Sequence, residues 1–169
     1  MSLDYTMRSI PTMFNGIQYR SRLEARWAAF FNSMGWPFTY EPMDLCGWAP
    51  DFLLRANAKK PLFVEIKPIV TWENSVAEKA ERAMPPGVTH DLLICGLGIE
   101  YPGGMPMIGW MGKWKKDHWF WDDATITRFQ GPVSLTEWET NQIQISDSGN
   151  VQSAWNHACN AVQWKGQRS

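Results

Sequence analysis

Three acidic residues and one lysine have the types and spacing to do chemistry together. They are Glu24 in RSRLEARW, Asp51 directly after Pro50, and Glu65 and Lys67 one residue apart in PLFVEIKP. Carboxylate oxygens are hard ligands that suit Mg²⁺, and a bound divalent ion makes water nucleophilic and offsets charge building on a phosphate. Each residue also has an ordinary explanation. Residues two apart on a strand share a face, so Glu65 and Lys67 leave LFVEIKP on the side of Phe63, while Leu62, Val64 and Ile66 point the other way; an ion pair on a wet sheet face has the same spacing. Asp51 after a proline suits the end of a turn, where Asp is common in any case. Ser21 and Glu24 have capping-box spacing, which needs no catalysis, although helical geometry also lets Glu24 face inward in line with Ala28 and Phe31.

Local elements must position these groups. Leu23, Trp27, Phe30, Phe31 and Met34 recur at helical spacing, with Ser21 as N-cap and Gly35 as stop, which predicts a helix within RSRLEARWAAFFNSMGW. Three strands follow in a meander: FTYEPMDL, then DFLLR after the turn at Cys46–Pro50, then LFVEIKP after a hairpin-like connection through residues 57–60. If DFLLR and LFVEIKP are neighbours, Asp51 comes within reach of Glu65. Thr71 is expected to cap a second helix over about 72–84, broken by Pro85-Pro86-Gly87. HDLLICGL reads as a buried strand, MPMIGWM and DHWFWD as extended stretches, and about 151–164 as a last helix. The first fifteen residues show no period and are expected to form an arm, and residues 130–150 carry no clear pattern. The predicted class is α/β, with a mixed central sheet flanked by helices.

The rest of the sequence bounds these expectations. A chain of 169 residues, 44% hydrophobic and 20% charged, suits one globular domain over residues 1–169. No apolar run reaches the length of a membrane span, and MSLDYTMRSI has no signal-peptide core. Cys46, Cys95 and Cys159 are odd in number and far apart, which argues for reduced thiols in a cytoplasmic setting rather than disulfides or zinc. The net charge of −1 neither favours nor excludes a nucleic-acid partner. Arg20, Arg22 and Arg26, Lys59 and Lys60, and Lys113, Lys115 and Lys116 form local basic clusters that could meet phosphates. Most of the eleven tryptophans are expected in the core or at its rim, with Trp114, Trp119 and Trp121 the expected exposed exceptions. Glu41 reads as a surface carboxylate of an edge strand. His90, His118 and His157 lack ligand spacing, and GLGIEYPGG reads as a turn rather than a phosphate cradle.

At Glu24 in RSRLEARW, Pro50-Asp51 and Glu65-Ile66-Lys67, in the order helix, strand, strand, the chain resembles the PD-(D/E)xK nuclease superfamily. The YEP and VEIKP strands are most similar to phage Holliday-junction resolvases and transposon endonuclease subunits, and the helix start to that of small phage nucleases. The resemblance covers about residues 17–96, a restriction-endonuclease-like core, and leaves a Trp-rich C-terminal extension at about 97–169. It implies that Asp51, Glu65 and the backbone carbonyl of Ile66 bind Mg²⁺, with Mn²⁺ able to substitute. Glu24 would complete the site directly, through water, or through a second ion, and Lys67 would hold the attacking water. The implied partner is DNA, branched or structured DNA included, with a 5′-phosphate product and a homodimer if both strands are cut. The implied location is the cytoplasm, the host's if the gene is carried by a phage. The alternatives are, from another class, a non-catalytic DNA- or protein-binding module on the same fold and, within the enzyme class, a sequence-specific restriction or homing-type nuclease.

Overall fold

The computed structural model describes residues 9–45, 47–55, 61–84, 90–128, 136–137, 142–145 and 149–163. In chain order the strands are β1 (Thr12–Phe14), β2 (Ile17–Tyr19), β3 (Phe38–Tyr40), β4 (Phe52–Leu54), β5 (Leu62–Ile66), β6 (Asp91–Cys95), β7 (Met107–Lys115), β8 (His118–Arg128), β9 (Thr136–Glu137) and β10 (Gln142–Ile145). The helices are α1 (Arg22–Ser33), α2 (Asn74–Ala83) and α3 (Gly149–Ala161), with a 3₁₀ turn at Pro102–Gly104. Eight strands form one sheet in the order β3-β4-β5-β6-β7-β8-β10-β9, and β1 and β2 form a separate hairpin. The β5–β6 and β8–β10 pairs are parallel and the remaining pairs antiparallel, so the sheet is mixed. The expected α/β class with helices against a mixed sheet is what forms.

Alternation along the strands decides which helix covers which face. Phe52, Leu54, Leu62, Val64 and Ile66 join Trp27, Phe30 and Phe31 of α1 and Val151, Trp155 and Ala158 of α3 in the larger core. The intervening Leu53, Phe63 and Leu92 pack with Ala80 beneath α2. Trp27 and Trp155 bring α1 and α3 together with ring centroids 4.7 Å apart, and Trp27 is fully buried. Truncating a ring of this kind to alanine costs about 3–5 kcal/mol. Strands β7 and β8 continue the same sheet, and α3 shares the core of α1, so the residues after 97 complete the layers around the site.

Several local expectations need correction. The N-terminal arm contains the β1–β2 hairpin, turned by Asn15 (φ 47°) and Gly16 (φ 76°). An Asn-Gly pair adopts two left-handed residues at little cost, which suits a tight antiparallel turn. Strand β3 stops at Tyr40, because Glu41 has φ 44° and Pro42 follows. Thr71 caps nothing: α2 starts at Asn74 after Glu73, and Trp72 Nε1 donates to Asn74 Oδ1 at 2.6 Å. The third helix begins at Gly149, and the unpatterned stretch before it holds β9 and β10. Residues 56–60, with Lys59 and Lys60, and residues 46 and 85–89 lie outside the described set.

The three tryptophans expected to be exposed are half-buried. Trp114 meets Trp119 at 5.7 Å, Trp119 meets Trp121 at 6.4 Å, and Trp121 meets Trp72 at 4.9 Å, so the rings run in a ladder over one sheet face. Gly112 makes room for it, since a Cβ there would stand 2.7 Å from the Trp121 ring. Glu81 of α2 accepts from the Trp121 indole at 2.5 Å and ties the ladder to the helix. Lys113 is buried, which removes it from the basic surface cluster, whereas Lys115 and Lys116 are exposed.

Candidate active site

The first turn of α1 is built by Ser21. Its hydroxyl accepts the Glu24 backbone N–H at 3.1 Å and donates to Glu24 Oε1 at 2.9 Å. Capping and an inward-facing carboxylate are therefore the same arrangement, since Glu24 is only 8% exposed. Its other oxygen, Oε2, accepts the Tyr40 hydroxyl from β3 at 2.6 Å. The same Tyr40 oxygen accepts the Arg20 backbone N–H at 3.0 Å, which docks the chain leading into α1 against the edge strand.

Asp51 stands at the start of β4, where β4 pairs antiparallel with β5. It is 4% exposed, and its Oδ2 accepts the backbone N–H of Ile66 at 2.7 Å. The proposed neighbourhood of Asp51 and the Glu65–Lys67 segment is thus real. Glu65, 8% exposed, accepts Lys67 Nζ at 2.6 Å on Oε1 and the Trp48 indole N–H at 3.0 Å on Oε2. Lys67 remains 39% exposed, so its amine sits at the boundary between the carboxylates and solvent.

Arg20 ties the acidic groups together. Its Nη2 donates to Asp51 Oδ1, while Nε lies 2.9 Å from Glu41 Oε1 and 3.7 Å from Glu24 Oε2. Glu41, expected to be a surface carboxylate, is a member of this ion network. The interaction is half in water, since the Arg20 side chain is 55% exposed. Neither Arg20, Tyr40 nor Trp48 was singled out from sequence as a partner of the acids. Arg20 has a usable signal, four residues before Glu24 and just ahead of the Ser21 N-cap; Tyr40 and Trp48 reach the site through the tertiary fold.

Electrostatics follow from this crowding. Burial, then the charge of Glu65, with Glu24 adding to it, raise the Asp51 carboxyl from 3.8 to about 7, although the Ile66 N–H and Arg20 oppose them. Three buried acids therefore sense one another. Burial, with a contribution from the Asp51 charge, also pushes the Cys95 thiol well up and keeps it protonated. That leaves hard oxygen as the donor type, the set suited to Mg²⁺ or Mn²⁺ rather than zinc. Among the described residues no three acidic, histidine or cysteine side chains stand close enough to enclose an ion by themselves. The carboxylate oxygens instead face Arg20, Lys67, Tyr40, Ser21 and Trp48. Of the histidines, His90 stacks on Phe63 at 4.5 Å, His118 meets Asp117 at 3.1 Å, and His157 lies on the exposed side of α3.

A cavity of about 430 Å³ opens beside this cluster, lined by Glu24, Lys67, Arg22 and Arg26 among others. Among the described residues no helix is long and apolar enough to cross a membrane. No protein-family model matches the chain, and no curated protein or solved structure is significantly similar to it.

Proposed function

We propose that the protein is a divalent-metal-dependent endonuclease that hydrolyses DNA phosphodiester bonds, on a core of the restriction-endonuclease type. The observation that carries the reading is an excess of buried carboxylates. Glu24, Asp51 and Glu65 are buried, and with the exposed Glu41 they are linked by contacts to only two cations, Arg20 and Lys67. A divalent cation supplies what is missing. Structural ion pairs do not need such an excess, and burying it raises Asp51 to about 7, which is a cost to the fold.

Asp51, Glu65 and the Ile66 carbonyl are the groups that would hold Mg²⁺ or Mn²⁺, with Glu24 completing the site directly, through water or through a second ion. The ion, when bound, would polarise the phosphate and make a water acidic enough to attack at neutral pH. Lys67 would orient that water and face the charge that grows on the phosphate. Trp48 and the Ile66 N–H keep Glu65 and Asp51 from turning away, because each gives its acceptor one fixed direction. Tyr40 does the same for Glu24.

The test is cleavage of linear, nicked, single-stranded and four-way DNA in Mg²⁺, with EDTA as the blank. Asp51→Asn and Lys67→Ala should each lose on the order of 10²-fold or more in rate. Lys67→Ala should still bind DNA. Undiminished cutting by both variants would end this reading, and a parent protein that captures DNA without cutting any of the four would favour a binding module.

A further inference from the structure

The arginines with described side chains fall into two groups. Arg20 binds the acids, Arg55 Nη1 donates to Thr39 Oγ1 at 3.3 Å, and Arg82 Nη2 pairs with Glu78 at 3.1 Å. Among the described residues Arg22 and Arg26 have no carboxylate partner. Arg22 makes no hydrogen bond or ion pair among the described residues, and Arg26 Nε is buried without a partner. The Arg26 guanidinium instead lies 6.0 Å from the centre of the Trp155 ring, a contact that fixes its plane and leaves its donors unused. A buried guanidinium N–H without an acceptor destabilises the fold, so the position points to a ligand that would supply one.

Both arginines line the cavity of about 430 Å³ that also receives Glu24 and Lys67. They are one helical turn apart, about 6 Å along the axis, and so face the same space. Within the cavity Glu24 is already held by Ser21 and Tyr40, and Lys67 by Glu65. The unmatched charge is therefore positive and of the fork-shaped kind that accepts phosphate bidentately. Ile10, Leu23, Ile66, Pro68 and Leu97 give the cavity an apolar wall, with Ser9 and Ser21 the remaining polar lining. Phosphate beside a greasy wall describes a nucleotide rather than a free inorganic ion. A volume of this size falls in the range of small-molecule pockets and is too small for a duplex.

We infer that this cavity takes one unpaired nucleotide of the DNA strand next to the bond that is cut, with Arg22 and Arg26 on its phosphate and the apolar wall against its sugar and base. The inference rests on the proposed nuclease reading and narrows its substrate to DNA with a single-stranded or splayed segment. The hydrolytic groups, Asp51, Glu65 and Lys67, stay where that reading puts them.

The experiment measures binding of fluorescent single-stranded, forked and blunt duplex oligonucleotides in Ca²⁺ across a salt series, for the parent, Arg22→Gln, Arg26→Gln and Arg55→Gln. Arg22→Gln and Arg26→Gln should each weaken single-stranded and forked DNA about ten-fold and flatten the salt dependence by about one phosphate contact. Arg55→Gln should match the parent, and blunt duplex should bind more weakly than the fork. Arg22 has no partner among the described residues, so its variant reads the subsite even if Arg26→Gln fails to fold. Parental binding and salt slope in Arg22→Gln, or blunt duplex held as tightly as single strands, would overturn the inference. Failure of the nuclease reading has a different signature: the arginine losses persist while the parent cuts nothing in Mg²⁺.

Discussion

Asp51→Asn separates what the acidic cluster costs the fold from what it does. The Asp51 carboxyl is raised from 3.8 to about 7, by burial first and by the charge of Glu65 second. In the unfolded chain the same group ionises near its ordinary value, so the folded protein holds the proton more tightly. A group raised in this way gives stability that is fully present below the unfolded pKa and is lost as pH climbs through the folded one. At about 1.4 kcal/mol per pH unit, going from pH 5 to pH 8 removes roughly 2–3 kcal/mol from the metal-free protein. That is a large part of the 5–15 kcal/mol typical of a domain. Asparagine has nearly the same shape, keeps an oxygen for the Ile66 N–H, and cannot ionise. Urea unfolding in EDTA, repeated at pH 5, 6, 7 and 8, should show the parent losing this stability and the variant losing little of it. His90, whose pKa burial lowers, titrates nearby with the opposite sign, but it is common to both proteins and drops out of the difference. Parallel pH profiles for parent and variant would refute the electrostatic account of Asp51.

Other perturbations read the surrounding contacts. Tyr40→Phe removes the donor to Glu24 Oε2 and the acceptor of the Arg20 N–H, so metal-free stability should fall by about 1–2 kcal/mol in chemical denaturation; an unchanged midpoint would mean that water replaces the hydroxyl without loss. Gly112→Ala puts a methyl 2.7 Å from the Trp121 ring and should cost about 1–3 kcal/mol with a change in tryptophan fluorescence, whereas a silent spectrum would show that the ladder tolerates a shift. Arg20→Gln frees Asp51 and Glu24 of their cation. With the arginine 55% exposed the pair is worth only about 1 kcal/mol, so calorimetric affinity for Mn²⁺ should rise roughly five-fold. Weaker Mn²⁺ binding in that variant would make Arg20 a support of the ion and not its competitor.

What could be read from sequence was whatever is decided within one turn or one strand. The alternation in Leu62–Lys67 places Glu65 with Phe63 because a strand offers no other choice, and the larger core collects Leu62, Val64 and Ile66 accordingly. Ser21 starts α1 and Gly35, at φ 69°, follows its end, since both are local backbone events. The Asn15-Gly16 hairpin was legible by the same logic and was missed, because the short flanks around it carry no sustained period. The partners of the acids were not legible in this way. Trp48 meets Glu65 across 17 residues, Tyr40 meets Glu24 across 16, and Arg20 meets Asp51 across 31, so each depends on the register of β3, β4 and β5. The exposure of Trp119 and Trp121 was misjudged for a related reason. Neighbouring lysines describe the chain, while burial is set by α2 and by the missing side chain of Gly112.

The same dependence explains why the acids are arranged as they are. The first turn of α1, the start of β4 and the interior strand β5 each contribute one buried carboxylate, which spreads the like charges over three elements. Dividing them places the repulsion at the junction of α1, β4 and β5, where the packing of Trp27, Phe30, Phe31 and Phe52 holds those elements together. The core, and not the local sequence around each acid, therefore sustains a raised carboxyl at Asp51. A mutation deep in that aromatic packing would relax the carboxylates before it changed any residue that touches them, and the Asp51 pH dependence would weaken along with the core.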